Sequence, residues 1–246
     1  VYVLEVNPRA SRTIPFVSKA IGVPLASYAA RVMCGETLEQ IGFTEEIVPP
    51  FVSVKEAVFP FNKFAGTDPI LGPEMRSTGE VMGISDSFGS AFAKAQLAAS
   101  NGLPLGGTIL ITVNDSDKAT VTPIARRFHE MGFRLVATGG TYKHLRARGI
   151  PVTPVLKVHE GRPNCMDMIV NGEAQLLVNT PFGKHSLRDD YTLRQAAIRH
   201  RVAYTTTLSA ASAACDAILS LRSRAPTVRS LQEWQADIHG EIEVTS

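Results

Sequence analysis

From residue 108 onward, short apolar runs alternate with amphipathic stretches. Thr108–Val113, Phe133–Thr138, Val152–Leu156, Ala174–Asn179 and Ala203–Thr207 are rich in β-branched and apolar residues and read as five strands. Between and after them, Asp117–Met131, Tyr142–Arg148, Met166–Val170, Asp190–Arg199 and Ala210–Leu221 carry helical spacing. Strict strand–helix alternation predicts an α/β fold, a doubly wound and mainly parallel sheet with helices on both faces.

The first hundred residues have a different texture. Phe16–Ile21 and Pro24–Cys34 read as short helices, with Pro24 in a first turn and Gly35 as a C-cap, and a Pro/Gly hinge follows. Val54–Phe59 and Gly79–Ile84 read as strands, separated by the Pro/Gly-rich loop Pro60–Thr78, which is long enough to suggest a function. Asp86–Ser100 reads as a helix capped by Asp86 or Ser87, with Phe88, Phe92, Ala95 and Ala99 on one stripe. Asn101–Gly107 is dense in Gly and Pro and marks a linker. A last helix around Leu231–Ile238 precedes an end expected to fray. These changes of texture divide the chain into two halves at 101–107, with a C-terminal piece over 223–246. No internal repeat is visible.

Composition narrows the classes. The 246 residues are 44 % apolar and 20 % charged, as in ordinary globular proteins. The net charge of +2 gives no polyanion signal, so nucleic acid is not an expected partner. No apolar run has the length of a membrane span, and no signal peptide is visible. The cysteines, Cys34, Cys165 and Cys215, are scattered and odd in number, without zinc-site spacing, and read as reduced thiols.

Ligands of a doubly wound sheet bind beyond the carboxyl ends of its strands. There the sequence places Asn114–Lys118, Thr138-Gly139-Gly140-Thr141, Lys157–Asn164, Asn179–Gly183 and Thr205–Thr207. The paired glycines let backbone approach a ligand, and the N–H groups of the following helix start bind anions. The two Thr hydroxyls are donors to phosphate oxygens, and Lys118, Lys157 and Arg162 supply positive charge. A phosphate site is expected here. His129, His144, His200 and His239 read as solvated or half-buried helix residues, and His159 as a loop-ordering one. Met166, Met168 and Ile169 read as core, and Asp189 and Asp190 as caps. At the other end, Val1–Arg9 reads as a strand entering a Pro/Arg loop without an initiator Met or leader, as the tail of a larger enzyme would. Glu5 and Asn7, two apart, face one side and suit a hard cation such as Mg²⁺ carrying a polyphosphate.

Several segments resemble one family. Glu5–Lys19 (Glu-Val-Asn-Pro-Arg-Ala-Ser-Arg-Thr-Ile-Pro-Phe-Val-Ser-Lys) resembles the closing segment of the second ATP-grasp unit in the large chain of glutamine-dependent carbamoyl-phosphate synthetases. Val54–Phe61 and Gly72-Pro73-Glu74-Met75-Arg76-Ser77-Thr78-Gly79-Glu80-Val81-Met82 resemble the segments that follow in that family. Lys157-Val158-His159-Glu160-Gly161-Arg162-Pro163 resembles its methylglyoxal synthase-like regulatory domain. The resemblance covers residues 1 to about 235 in order. It implies the end of the second ATP-grasp unit over 1–22, a linking α+β region with ornithine-site and assembly elements over 23–101, the allosteric domain with a five-stranded sheet over 107–225 and a tail over 226–246, the part before the five-stranded sheet being an α+β remnant of an ATP-grasp domain.

It also implies a parent ligase that makes carbamoyl phosphate from bicarbonate, glutamine-derived ammonia and two ATP for pyrimidine and arginine biosynthesis. Mg²⁺ or Mn²⁺ would accompany ATP, with Glu5 and Asn7 at metal positions and Arg9 at a catalytic one. The chain alone is expected to be inactive and to hold no cofactor. Effector nucleotides of the UMP and IMP type would meet Thr112, Lys118, Thr138, Gly140, Thr141, Lys157 and Asn179. Glu56 and Thr206 match ornithine-site positions. The implied partners are the rest of the large chain, a small glutaminase chain and further copies of itself, in the cytoplasm or, for a plant protein, the plastid stroma.

Two departures stand out. Pro181 replaces a Thr after Asn179-Thr180, removing a hydroxyl donor, and Ser209-Ala210-Ala211 replaces Asn-Gly-Gly after Thr207-Leu208. Two rival readings differ in kind. A methylglyoxal synthase-like phosphate lyase would need a carboxylate base, and Glu160 is the available one, out of register. A pure interaction module would use apolar helices such as Pro24–Cys34.

Overall fold

The computed structural model describes residues 10–61, 70, 75–180 and 187–239. The stretches holding Glu5, Asn7 and Arg9, most of the Pro60–Thr78 loop, Pro181 and the end expected to fray lie outside the described residues. Contacts group the chain into two compact units, Val54–Pro226 and the residues up to Ser53 with those from Thr227 onward.

The latter unit contains helices α1 (Thr13–Ile21), α2 (Leu25–Met33), α3 (Leu38–Ile41) and α10 (Leu231–His239). Pro24 and Cys34 flank α2 rather than belonging to it, and Gly35 lies one residue beyond the C-cap. The hinge hides α3, whose start is a reciprocal cap between Thr37 and Gln40. The last helix docks on α1: Gln235 Nε2 donates to the Lys19 carbonyl at 3.0 Å. Trp234 meets Phe51 edge-on at 5.2 Å and carries Arg229 over its other face at 4.2 Å.

The larger unit begins with a two-stranded sheet of β1 (Val52–Val58) and β2 (Gly79–Ser85), followed by α4 (Phe88–Ala98). Then come β3 (Thr108–Val113), a 3₁₀ turn (Asp115–Asp117), α5 (Lys118–Glu130), β4 (Arg134–Thr138), α6 (Gly139–Arg146) and β5 (Thr153–Val155). The remaining elements are α7 (Cys165–Val170), β6 (Leu176–Thr180), α8 (Leu187–Arg199), β7 (Ala203–Thr205) and α9 (Leu208–Ser223). The five later strands form one parallel sheet in the order β5-β4-β3-β6-β7.

Successive side chains of a strand point to opposite faces, and β3 shows it. Ile109 and Ile111 join a core with Val121, Ile124 and Phe128 of α5, Leu145 of α6 and Ala214 and Ile218 of α9. Leu110 joins the opposite core, with Met168 and Ile169 of α7 and Leu193 and Ala197 of α8. Each such side chain contributes about 1.5–3 kcal/mol of burial. Helices therefore cover both faces.

Several boundaries differ from the sequence reading. The first helix after β4 starts at Gly139, so the paired glycines form its first turn. Thr207 leaves the fifth strand to cap α9, its hydroxyl accepting from Ala210 N at 3.2 Å. Asn164 caps α7 through Met166 N and Asp167 N. α8 begins at Leu187, so Asp190 lies inside its first turn instead of capping it; Ser87 does precede α4, but without a capping side-chain bond.

The linker does not stand apart. Arg222 near the end of α9 donates to the Leu105 carbonyl through Nε at 2.9 Å, and to the Met131 carbonyl, while its guanidinium sits 4.9 Å from the Phe133 ring centroid. Upstream of it, α4 lies on α9, with the Ser90 and Ser220 hydroxyls 2.9 Å apart. β2 in turn packs on α4 so closely that a Cβ at Gly83 would sit 2.1 Å from the Ala91 carbonyl oxygen.

Candidate functional site

The strand order reverses between β3 and β6, the kind of switch point beyond whose carboxyl ends doubly wound sheets bind ligands. Thr138 ends β4 and precedes α6 without donating a side-chain cap to it. The first-turn N–H groups of α6 therefore keep no side-chain acceptor from that residue, and the helix dipole adds positive potential there. The Thr138 hydroxyl instead donates to Thr112 Oγ1 at 2.9 Å. Thr141 is 2 % exposed, and its hydroxyl accepts from Val113 N and donates to the Val113 carbonyl, both at 3.3 Å. Both Thr hydroxyls read as phosphate donors are thus engaged in joining α6 and β4 to β3, so backbone N–H groups are the donors left for an anion.

Lys118 opens α5 and reaches back over that helix start. Its Nζ lies 2.7 Å from where a Cβ of Gly140 would stand, a contact that only a glycine permits. The same Nζ pairs with Asp115 Oδ1 at 2.6 Å. Lys118 foremost, and Lys157 further off, hold the Asp115 carboxyl below the usual carboxylate range. Lys118 and Lys157 therefore share one electrostatic neighbourhood. Arg162 does not join them: its guanidinium forks onto Asp167, with Nε 3.2 Å from Oδ2, at the start of α7. That pair holds Asp167 below its ordinary value. Glu160 is also spoken for, since its Oε2 accepts from Lys157 N at 2.7 Å.

Asn179 sits at the end of β6, 1 % exposed. Its Oδ1 accepts from Arg194 Nη1 at 2.8 Å, and its Nδ2 donates to the Thr112 carbonyl at 3.3 Å and to Asp190 Oδ1 at 3.0 Å. The carboxamide thereby ties β3, β6 and α8 together. Beside it, Asn114 N and Nδ2 each donate to Thr180 Oγ1 at 3.3 Å. The sequence reading missed Arg194, which is fully buried. Its signal was there: an Arg four residues after Asp190, in a helical stripe with Leu193, Ala196 and Ala197. The sequence reading placed Asp115 in the ligand-side stretch Asn114–Lys118 but gave it no role.

Glu56 and Thr206 are both half-buried. Burial raises the Glu56 carboxyl, partly offset by a hydrogen bond from Gln96. His144 is not simply solvated. Its Nε2 lies 3.1 Å from Thr122 Oγ1 and its Nδ1 3.1 Å from Arg148 Nη1, and burial followed by Arg148 lowers its pKa. Among the described residues no cluster of three His, Cys, Asp or Glu could hold a metal, and no helix is long and apolar enough to cross a membrane.

Comparison with known proteins agrees with this layout. Residues 120–206 match the model of the MGS-like domain, and residues 1–41 match that of the carbamoyl-phosphate synthase L chain, ATP binding domain. The carbamoyl phosphate synthase large chain of Gemmatimonas aurantiaca is 67 % identical over 234 residues, 95 % of this chain and 21 % of its own. That of Pseudomonas putida is 56 % identical over 97 % of this chain and 22 % of its own. The carbamoyl phosphate synthase arginine-specific large chain, chloroplastic, of Oryza sativa is 54 % identical over 95 % of this chain and 20 % of its own. The chain thus spans about a fifth of the length of the relatives it matches. It belongs to the carbamoyl phosphate synthase large-chain family, in the stretch that runs from an ATP-binding-domain segment to an MGS-like domain.

Proposed function

We propose that this chain is the nucleotide effector-binding part of a carbamoyl phosphate synthase large chain. The observation that carries the reading is Lys118 lying against the Gly140 backbone at the uncapped start of α6, with Lys157 in the same electrostatic neighbourhood. A helix start, a glycine that admits close approach and two ammonium groups together fit a phosphate monoester. Thr112 and Asn179, at the carboxyl ends of β3 and β6, would face the rest of a nucleotide of the UMP or IMP type. Calorimetric titration with UMP and IMP tests this. Micromolar to millimolar binding that disappears in Lys157→Ala and Lys118→Ala supports it, and no binding by the folded chain overturns it.

The parent activity is the ATP-dependent synthesis of carbamoyl phosphate from bicarbonate and glutamine-derived ammonia, supplying pyrimidine and arginine biosynthesis. There Glu5 and Asn7 would hold Mg²⁺ or Mn²⁺ against ATP phosphates, and Arg9 would face the reacting group. The metal's chemistry is charge neutralisation at those phosphates. Glu56 offers a carboxylate to an ornithine-type ammonium, with Thr206 as its companion. The rest of the large chain, a small glutaminase chain and a cytoplasmic or stromal setting complete the picture. By itself the chain makes no carbamoyl phosphate, and its ATP-dependent formation by the pure chain would refute that.

A second reading, assembly, is favoured by α2, which buries no residue and leaves Val32 43 % and Met33 89 % exposed. Sedimentation with and without nucleotide separates the two roles. The base considered for the lyase reading, the Glu160 carboxylate, is engaged by local backbone.

A further inference from the structure

Lys118 has an acidic neighbour that packing does not require. The Asp115 side chain is 96 % exposed, whereas that of Lys118 is only 19 % exposed. The 3₁₀ turn holding Asp115 is capped by Asn114, whose Oδ1 accepts from Asp117 N at 3.1 Å, so the turn does not depend on the Asp115 carboxylate. That carboxylate sits 2.6 Å from the Lys118 ammonium, beside the start of α6 that Lys118 overlies and within the field of Lys157. It therefore occupies the place that an incoming anion must share.

We propose that Asp115 is a built-in counter-anion that competes with a ligand's phosphate for Lys118 and Lys157, and so sets the affinity and charge selectivity of the site. The proposal rests on the nucleotide-site reading above and adds to it a residue that opposes binding. While the seat is empty, Asp115 neutralises a lysine that would otherwise face the positive end of α6 alone. A doubly charged phosphate outcompetes the singly charged carboxylate for both lysines and bonds the helix N–H groups, which Asp115, held in its own turn, leaves uncapped. A singly charged anion gains much less. The site is thus tuned to reject monoanions such as carboxylates and phosphodiesters.

Removing one charge about 5 Å from a bound dianion, in a water-like and salt-screened setting, tightens binding roughly five- to ten-fold. The experiment is calorimetric titration of the 246-residue chain with UMP, IMP and inorganic phosphate. The proteins are wild type, Asp115→Asn, Lys118→Ala and the double variant, each at low and at moderate salt. Asp115 is exposed, so Asp115→Asn keeps the thermal unfolding midpoint of the wild type. The proposal expects Asp115→Asn to bind the phosphates five- to ten-fold more tightly. The gain shrinks with salt. Unchanged or weaker binding in Asp115→Asn, beside normal wild-type binding, overturns the proposal and leaves the nucleotide site standing. A gain of the same size at low and at moderate salt overturns it too. No binding of any probe to any of the four proteins overturns both the proposal and the reading beneath it.

Discussion

Replacing Gly140 by Ala separates the site from the scaffold. The new Cβ would lie 2.7 Å from Lys118 Nζ and 3.5 Å from its Cε, with nothing else within 4 Å. Both atoms belong to the far end of a flexible side chain, so Lys118 swings aside. Its pair with exposed Asp115 is a surface interaction worth at most about 1 kcal/mol. Alanine in a helical turn returns roughly 0.5–1 kcal/mol relative to glycine. The two effects nearly cancel, and the unfolding midpoint of Gly140→Ala should stay within about 3 °C of wild type. Binding behaves differently. The methyl group occupies the space through which a phosphate reaches the α6 backbone and displaces the lysine that would hold it. UMP affinity should fall at least about ten-fold, the loss of roughly one charge-assisted hydrogen bond. Gly83→Ala is the contrasting control. Its Cβ would meet the Ala91 carbonyl oxygen at 2.1 Å and Ala95 N at 2.7 Å, both backbone atoms that cannot step aside. Overpacking of this kind costs about 1–3 kcal/mol or more. Thermal unfolding by circular dichroism, with calorimetric titration of UMP, reads both quantities. If Gly140→Ala loses as much stability as Gly83→Ala, Lys118 is not displaceable and the reasoning fails. If it binds UMP like wild type, no anion approaches that backbone.

Three further outcomes follow from burial and charge. Arg194→Met removes a fully buried guanidinium and leaves the Asn179 oxygen without its 2.8 Å donor, so chemical denaturation should show a loss of about 3 kcal/mol; a loss below about 1 kcal/mol would contradict the bracing role assigned to that residue. Native protein should titrate one thiol quickly with a thiol-exchange reagent: Cys34 is exposed, Cys165 and Cys215 are buried, and burial pushes the Cys215 thiol up to about 12. Rapid reaction of a second equivalent would rule this out. Burial raises the Glu56 carboxyl above its ordinary value of 4.5, so the folded state binds this proton more tightly than the unfolded one. Stability from that group is complete below the unfolded value and is lost as pH rises through the folded value. Glu56→Gln should therefore raise the unfolding midpoint at neutral pH, with the gain vanishing near about pH 4. A gain independent of pH would mean that lost charge is not its cause.

The alternation of strands and helices after residue 108 was legible because each strand, buried on both faces, reads as a nearly unbroken apolar run. β3 is the clearest case. The boundaries that shifted did so for local reasons. Thr207 looks like a strand residue but finds Ala210 N to cap, and Gly139-Gly140 looks like a turn but continues as a helix once Thr138 is tied to Thr112. At the site, residue types announced an anion-binding edge. They did not announce which groups would be taken up by one another. Arg162 was attractive as a loop cation, yet Asp167 lies five residues on, in the first turn of α7, and captures it. Arg194 was passed over, despite its place in an apolar stripe, because a charged residue reads as solvent-facing until its partner, Asn179, is brought in from a strand. Pairings between distant segments are a property of topology, and periodicity carries no information about them.

The Arg222 clamp and the α4–α9 contact bear on how this region can be exchanged between relatives. A chimera cut within residues 101–107, where the sequence looks most like a seam, would separate Arg222 from the Leu105 carbonyl and Ser90 from Ser220. Both halves would then carry mismatched surfaces. The interchangeable cassette runs instead from residue 54 to 226, with β1, β2 and α4 travelling beside the parallel sheet. Homologous recombination that respects this seam preserves every contact α9 makes with α4, so swaps of the parallel sheet between relatives should graft cleanly only when some fifty residues upstream of β3 move as cargo.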